Sequence, residues 1–224
     1  LEIEDATAGR ALWRRARDDP RLWRKPLPAS LFDVALSPDG QQVAAAGQDR
    51  TVYLIEDATQ RTRALRGHSG QVRAVAFSPD GRELAAGTRT GEIWLWDLRT
   101  RRRRVLRGHR GPVRRIRFGP RGRRLASASW DHTVRVWQPG ADAPPAVLRG
   151  HTDRVYGIAF APDGRTLASG SYDRTVRIWD LDFPRQAGLS TLTGHSGYVR
   201  GVEYSPDGTF LASVGQHGEV RIWS

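Results

Sequence analysis

The chain has 224 residues, no cysteine and a formal net charge of +12. Lack of cysteine excludes disulfides, thiol catalysis and Cys-ligated metals. No run approaches 18 apolar residues and no apolar signal core opens the chain, so the expected compartment is the cytoplasm. With 38% hydrophobic residues the chain can bury a core. All but one of the 36 basic residues are arginine, Lys25 being the exception. Such a bias suits bidentate grip on phosphate or carboxylate; it also fits an arginine-rich genome, since the arginines are spread along nearly the whole chain. Methionine is absent and the first residue is Leu1, which reads as a piece of a longer protein.

In chain order, Ile3-Glu4-Asp5-Ala6-Thr7 recurs as Ile55-Glu56-Asp57-Ala58-Thr59. Leu1 to Asp5 is therefore expected to end a third strand, with Gly9 to Ala16 as an outer strand. The stretch from Ile3 to Ser30 is eleven residues longer than its counterpart from Ile55 to Gln71. The extra length, Arg10 to Lys25, carries Trp13 and Trp23 among arginines, as a partner-binding loop or a cover over the first repeat. From residue 31 onward a turn recurs at Ser37-Pro38-Asp39-Gly40, Ser78-Pro79-Asp80-Gly81, Gly119-Pro120-Arg121-Gly122, Ala161-Pro162-Asp163-Gly164 and Ser205-Pro206-Asp207-Gly208. Proline followed by Asp-Gly is strong turn chemistry.

Between turns the apolar pattern has period two, as in Val155, Ile158 and Phe160, then Leu167 and Ser169, then Val176, Ile178 and Trp179. A fourth short run, such as Val105-Leu106 or Val147-Leu148, precedes each Gly-His pair, and helix signals are almost absent. The pairs Gly67-His68, Gly108-His109, Gly150-His151 and Gly194-His195 are spaced by 41, 42 and 44 residues. Five turns mark five repeats of four short strands each, the first repeat having Pro26-Leu27 in place of Gly-His.

Period, Gly-His, turn and a terminal Trp-Asp, as in LASGSYDRTVRIWD from Leu167 to Asp180, together resemble the WD-repeat β-propeller family of bacterial type. The resemblance covers about residues 31 to 224. It implies an all-β propeller of four-stranded antiparallel blades, one domain over 1–224, with residues 1–30 supplying an outer strand of a preceding blade plus the Arg/Trp-rich insertion. Five repeats are present. The expected arrangement is part of a larger, seven-bladed ring; the alternative is a closed ring of five. In bacteria such repeats often follow a kinase or a regulatory NTPase domain, which would lie upstream in a longer chain.

The resemblance also implies a buried hydrogen-bond chain of His, Asp, Ser and Trp in each repeat. Two sets are complete: His109, Ser127, Asp131 and Trp137; and His151, Ser169, Asp173 and Trp179. The second repeat has Ala86 and Thr90 at two of the positions, the fifth has His217 in place of Asp, and the first keeps only Asp49. Those blades are expected to be less rigid, the first most of all. A trio recurring in more than one blade beside a tryptophan reads as bracing rather than a hydrolase triad, which needs one exposed nucleophile beside an oxyanion hole. Most histidines fall one per repeat, so no metal sphere and no cofactor are expected.

Three positions per repeat are expected, from the resemblance, to face the channel mouth: Gln71, Pro112, Arg154 and Tyr198; Arg73, Arg114, Tyr156 and Arg200; and Gln48, Arg89, Trp130, Tyr172 and Gln216. Ser30 and Phe32 fill the first repeat. The expected partner-binding set is Arg73, Arg89, Arg114, Trp130, Arg154, Tyr156, Tyr172, Tyr198 and Arg200, with no Asp or Glu. Arginine and aromatics dominate binding hot spots, so the expected function is a non-catalytic scaffold, in signalling, for an acidic or phosphorylated segment. The alternative is RNA or other nucleic acid held by the basic surface. Arg101-Arg102-Arg103-Arg104 is expected on an outer strand, where charge keeps an edge from pairing.

Overall fold

The computed structural model describes residues 26–182 and 190–224. The proposed N-terminal strand and the Arg10 to Lys25 insertion lie outside them. Strands form five antiparallel sheets in chain order. The first contains β1 (Leu31–Leu36), β2 (Gln42–Gly47), β3 (Val52–Glu56) and β4 (Thr62–Leu65); the second β5 (Val72–Phe77), β6 (Glu83–Thr88), β7 (Ile93–Asp97) and β8 (Arg103–Leu106). The third holds β9 (Val113–Phe118), β10 (Leu125–Ser129), β11 (Val134–Trp137) and β12 (Ala146–Leu148). The fourth holds β13 (Val155–Phe160), β14 (Thr166–Ser171), β15 (Val176–Asp180) and β16 (Ser190–Leu192). The fifth has three strands, β17 (Val199–Tyr204), β18 (Leu211–Gly215) and β19 (Val220–Trp223). Within each sheet sequential strands are neighbours. Among the described residues no helix is long and apolar enough to cross a membrane.

The Pro-Asp-Gly segments make the hairpin between first and second strands, as their composition predicts. Ser37 Oγ donates to Asp39 Oδ1 at 2.6 Å, and the Gln42 N–H donates back to Ser37 Oγ at 2.8 Å. Gly40 takes φ 68°, a left-handed conformation that glycine adopts without a Cβ penalty. The Ser78 and Ser205 turns repeat these bonds.

Second strands of the first four sheets are largely buried on both faces and built of small residues, such as LASAS in β10 and TLASGS in β14. Small side chains let one sheet pack flat against the next. The core is accordingly divided into four layers between consecutive sheets. Ala44, Val52 and Leu54 meet Val75, Leu84 and Trp94; Ala85 and Ile93 meet Ile116, Leu125 and Trp137. Ala128, Val134 and Leu148 meet Ile158, Leu167 and Trp179; Ala168 and Val176 meet Val199, Val202 and Leu211. First strands of successive sheets, β1, β5, β9, β13 and β17, run side by side, while the outer strands meet chiefly their own sheet. The sheets therefore fan out from a common inner edge, as propeller blades do.

The outward face of the fifth sheet is open. Val220 is 63% exposed and Ile222 63%. The matching residues Val52, Ile93, Val134 and Val176 are fully buried under the next sheet.

Candidate functional site

The repeated polar residues form the chain that the resemblance implied. In the fourth blade Trp179 Nε1 donates to Ser169 Oγ at 2.8 Å, Ser169 Oγ lies 2.8 Å from His151 Nε2, and His151 Nδ1 lies 2.7 Å from Asp173 Oδ2. The third blade repeats this through Trp137, Ser127, His109 and Asp131, at 2.9, 2.7 and 2.8 Å. Every donor is satisfied if protons run in one direction, from indole to hydroxyl to imidazole to carboxylate, with a neutral histidine. Burial pushes the His109 imidazolium down, consistent with that assignment. Burial alone would raise Asp131 and Asp173, but bonds from the histidines, from the Thr133 and Thr175 hydroxyls and from backbone N–H groups together outweigh it and hold both carboxyls well below the usual range. Ser127 and Ser169 have no exposed surface, so no substrate reaches either hydroxyl.

The departing blades arrange their polar groups differently. In the fifth blade Ser213 bridges His195 Nε2 at 2.6 Å and Trp223 Nε1 at 2.8 Å. Glu219 supplies the nearest carboxylate, 3.2 Å from His195 Nδ1, although that nitrogen is buried without a hydrogen bond, and His217 is exposed. The Ser196 backbone N–H, donating at 3.0 Å, and the Arg221 guanidinium hold Glu219 down to about 2. In the second blade Glu92 accepts from Ser69 Oγ and Trp94 Nε1, and the Ser69 and Thr90 hydroxyls lie 2.6 Å apart. The two blades share a local signal. Asp131-His132-Thr133 and Asp173-Arg174-Thr175 become Thr90-Gly91-Glu92 and His217-Gly218-Glu219. The carboxylate moves two residues along and gains one methylene of reach. In the first blade Asp49 is held by the Tyr53 hydroxyl at 2.6 Å.

The second blade does lack its hub. With Ala86 in the serine position, His68 Nε2 and Trp96 Nε1 are buried without a partner. Ala86→Ser is expected to satisfy both and stabilise the protein by about 1 kcal/mol, a Tm rise of about 2–4 °C for a chain of this size. Thermal unfolding that shows no rise would mean that the second blade has no room for the hydroxyl.

At the inner edge each first strand carries a β-bulge at one equivalent position. Pairing skips Phe32, Arg73, Arg114, Tyr156 and Arg200 in turn. A bulged residue leaves the ladder and re-aims its side chain. These five are the second of the three rim positions. The other two are tied to each other: the backbone N–H groups of Gln48, Arg89, Trp130, Tyr172 and Gln216 donate to the carbonyls of Ser30, Gln71, Pro112, Arg154 and Tyr198, at 2.8–3.0 Å.

The rim side chains connect into one band. Trp130, Tyr156, Tyr172 and Tyr198 stack in series, with centroids 6.1, 4.6 and 4.1 Å apart. The Arg154 guanidinium lies 4.6 Å over Trp130, Arg114 5.0 Å over Tyr156, and Arg73 3.9 Å over Phe32. Arg200 and Arg154 act electrostatically on Tyr172, and Arg114 and Arg89 on Arg73. The aromatic stack thus spans the third to fifth blades, while Arg73, Arg89 and Arg114 cluster on the second and third beside Phe32 of the first. Arg103 and Arg104, by contrast, lie on β8, an exposed outer strand.

One residue beside the rim was missed from sequence. Asp33 follows the bulge at Phe32, and its Oδ1 accepts from Arg115 Nη1 at 3.2 Å. Its Oδ2 accepts the Val75 N–H at 3.1 Å. The ion pair joins the first blade to the third across Ala74 of the second.

The model of the WD40 family, described as WD domain, G-beta repeat, matches residues 27–56, 59–97, 100–138, 143–180 and 187–224. Each match after the first begins with the outer strand of one sheet and ends with the third strand of the next. No curated protein matches the sequence significantly. Members of the family serve generally as protein-interaction scaffolds, and the five matches spread over most of the sequence show that the chain belongs to the WD40 repeat family.

Proposed function

We propose that this chain is a non-catalytic scaffold that takes an acidic or phosphorylated segment of a protein partner across the rim formed by Arg73, Arg89, Arg114, Trp130, Arg154, Tyr156, Tyr172, Tyr198 and Arg200. The observation that carries this reading is the run of bulged residues. They vary in chemistry from blade to blade while the buried chain beneath them repeats, and two of the three guanidiniums among them, Arg73 and Arg114, lie over rings. Stacking holds a guanidinium by its face and leaves its N–H edge free for carboxylate or phosphate oxygens. Among the described residues the apolar face at Val220 and Ile222 is uncovered, which supports a further strand or blade packing there.

The net charge of +12 motivates nucleic acid as a second reading. It is the weaker one, because Tyr156 and Tyr172 spend their ring faces on neighbouring rings, and bases bind by stacking on free faces.

An array of acidic, phosphorylated and neutral peptides, set beside single-stranded RNA, separates the two. The expected result is binding of the acidic or phosphorylated peptides that falls about tenfold or more in an Arg114→Ala/Trp130→Ala double variant, which stays folded. Unchanged peptide affinity in that variant removes the rim from the account. Preference for RNA, weakening steeply with added salt, moves the function to the basic surface.

A further inference from the structure

The cationic cluster of the rim encloses a cavity of about 90 Å³ lined by Phe32, Asp33, Arg73, Arg114, Arg115 and Tyr156. Its charge does not balance. Arg115 and Asp33 neutralise each other at 3.2 Å. Among the described residues neither Arg73 nor Arg114 has a carboxylate within ion-pair distance. The charges that act on Arg73 most strongly are those of Arg114 and Arg89, and burial with their repulsion pushes its guanidinium down. Two uncompensated cations thus share one small site with a third beside it, an unfavourable arrangement unless an anion enters.

The donors are held in place as well. The Arg73 guanidinium lies over the Phe32 ring and that of Arg114 over the Tyr156 ring. Arg73 Nη2 donates to Gln71 Oε1 at 2.8 Å, which fixes the plane of the fork. Its Nε is buried and has no acceptor. A buried donor without a partner next to a cavity calls for an acceptor that a ligand supplies.

We propose that this cavity is the binding subsite for a single phosphoryl group, carried on a phosphorylated side chain of the partner peptide. This rests on the rim reading above and narrows it. A carboxylate brings one negative charge and two oxygens. A phosphate monoester brings about −1.5 to −2 and three acceptor oxygens, which matches two guanidiniums that have no carboxylate partner and their remaining in-plane N–H groups. A cavity of this size has room for one tetrahedral anion. A chain of phosphodiesters, each with one negative charge, fits the site less well than a monoester.

The test uses isothermal titration of the whole chain with a short peptide carrying phosphoserine, and with the same peptide carrying serine or glutamate. Inorganic phosphate is the competitor, against chloride at matched ionic strength. The expected result is phosphoserine binding at least tenfold tighter than glutamate, displacement by inorganic phosphate, and a tenfold or greater loss in Arg73→Gln and in Arg114→Gln. Arg101→Gln, on the far side of the second blade, keeps full affinity. Equal affinity for phosphoserine and glutamate overturns the subsite while leaving an acidic-peptide rim standing. Equal loss in Arg101→Gln reduces the effect to net charge and overturns it too. Tighter binding of a single-stranded oligonucleotide than of the phosphopeptide at equal salt overturns it in favour of nucleic acid. No binding of any peptide sinks the subsite and the rim reading together.

Discussion

Trp179→Ala will destabilise the protein by about 3–5 kcal/mol, the range for truncating a buried aromatic. Trp179 is 1% exposed and the largest of the fully buried side chains. It closes the layer between third and fourth blades, among Ala128, Val134, Leu148, Ile158 and Leu167. Alanine leaves a cavity walled by two sheets that are each held by their own ladders, so the space cannot collapse. The change also removes the indole donor from Ser169. Because native domains are stable by only about 5–15 kcal/mol, one such change takes a large share of the total. The equivalent Trp223→Ala will cost clearly less, since Trp223 is only half-buried against the layer between the fourth and fifth blades. Urea unfolding compares the two variants. A loss below about 1 kcal/mol for Trp179→Ala would mean that the indole does not seal the layer.

Gly157→Val will be nearly as damaging, for the opposite reason. Gly157 follows the bulge in β13 and faces Gly201 of β17. A Cβ there would stand 2.9 Å from Gly201 Cα, 3.0 Å from Val202 N and 3.1 Å from Arg200 O. These are backbone atoms, with no flexible end to swing away. Overpacking of this kind costs about 1–3 kcal/mol and forces the backbone to move. The movement separates the fourth and fifth blades at their inner edge, beneath the stacked rings of Tyr172 and Tyr198, 4.1 Å apart. The expected result is a lower Tm together with a changed near-ultraviolet circular dichroism signal from the tyrosine stack. A lower Tm with that signal intact would show that the glycine pair does not set the spacing of the rim.

Much of this was legible in the sequence. The Pro-Asp-Gly turns, the serine hubs at 127 and 169 and the three rim positions per blade are local patterns that recur at fixed offsets. The missed parts have physical reasons. Glu92 and Glu219 stand two residues beyond the expected aspartate; the longer side chain brings Glu219 beside His195, whereas Glu92 is taken by Ser69 and Trp94 and His68 Nδ1 meets the Arg50 carbonyl. The Gly-Glu pair in both places was a readable sign of it. The Asp33–Arg115 pair joins residues 82 apart in sequence, so no local pattern announces it. The bulge at Arg73 or Tyr156 is invisible to period-two counting, which assumes an unbroken ladder. The order of the stacked rings depends on how closely blades approach, and so on Gly157 and Gly201 rather than on the aromatics themselves.

On the proposed reading, the repeated residues brace the blades while the residues that differ between blades bind. Trp130 and Trp179 test it with one amino-acid type. Trp130→Ala is expected to lower affinity for the rim peptide about tenfold or more with a small change in Tm. Trp179→Ala is expected to lower Tm sharply while the molecules that remain folded bind as before. The decisive measurement is the peptide affinity of Trp130→Ala by titration, with its melting curve alongside. Lost affinity in a folded protein is the predicted result; wild-type affinity would contradict the account.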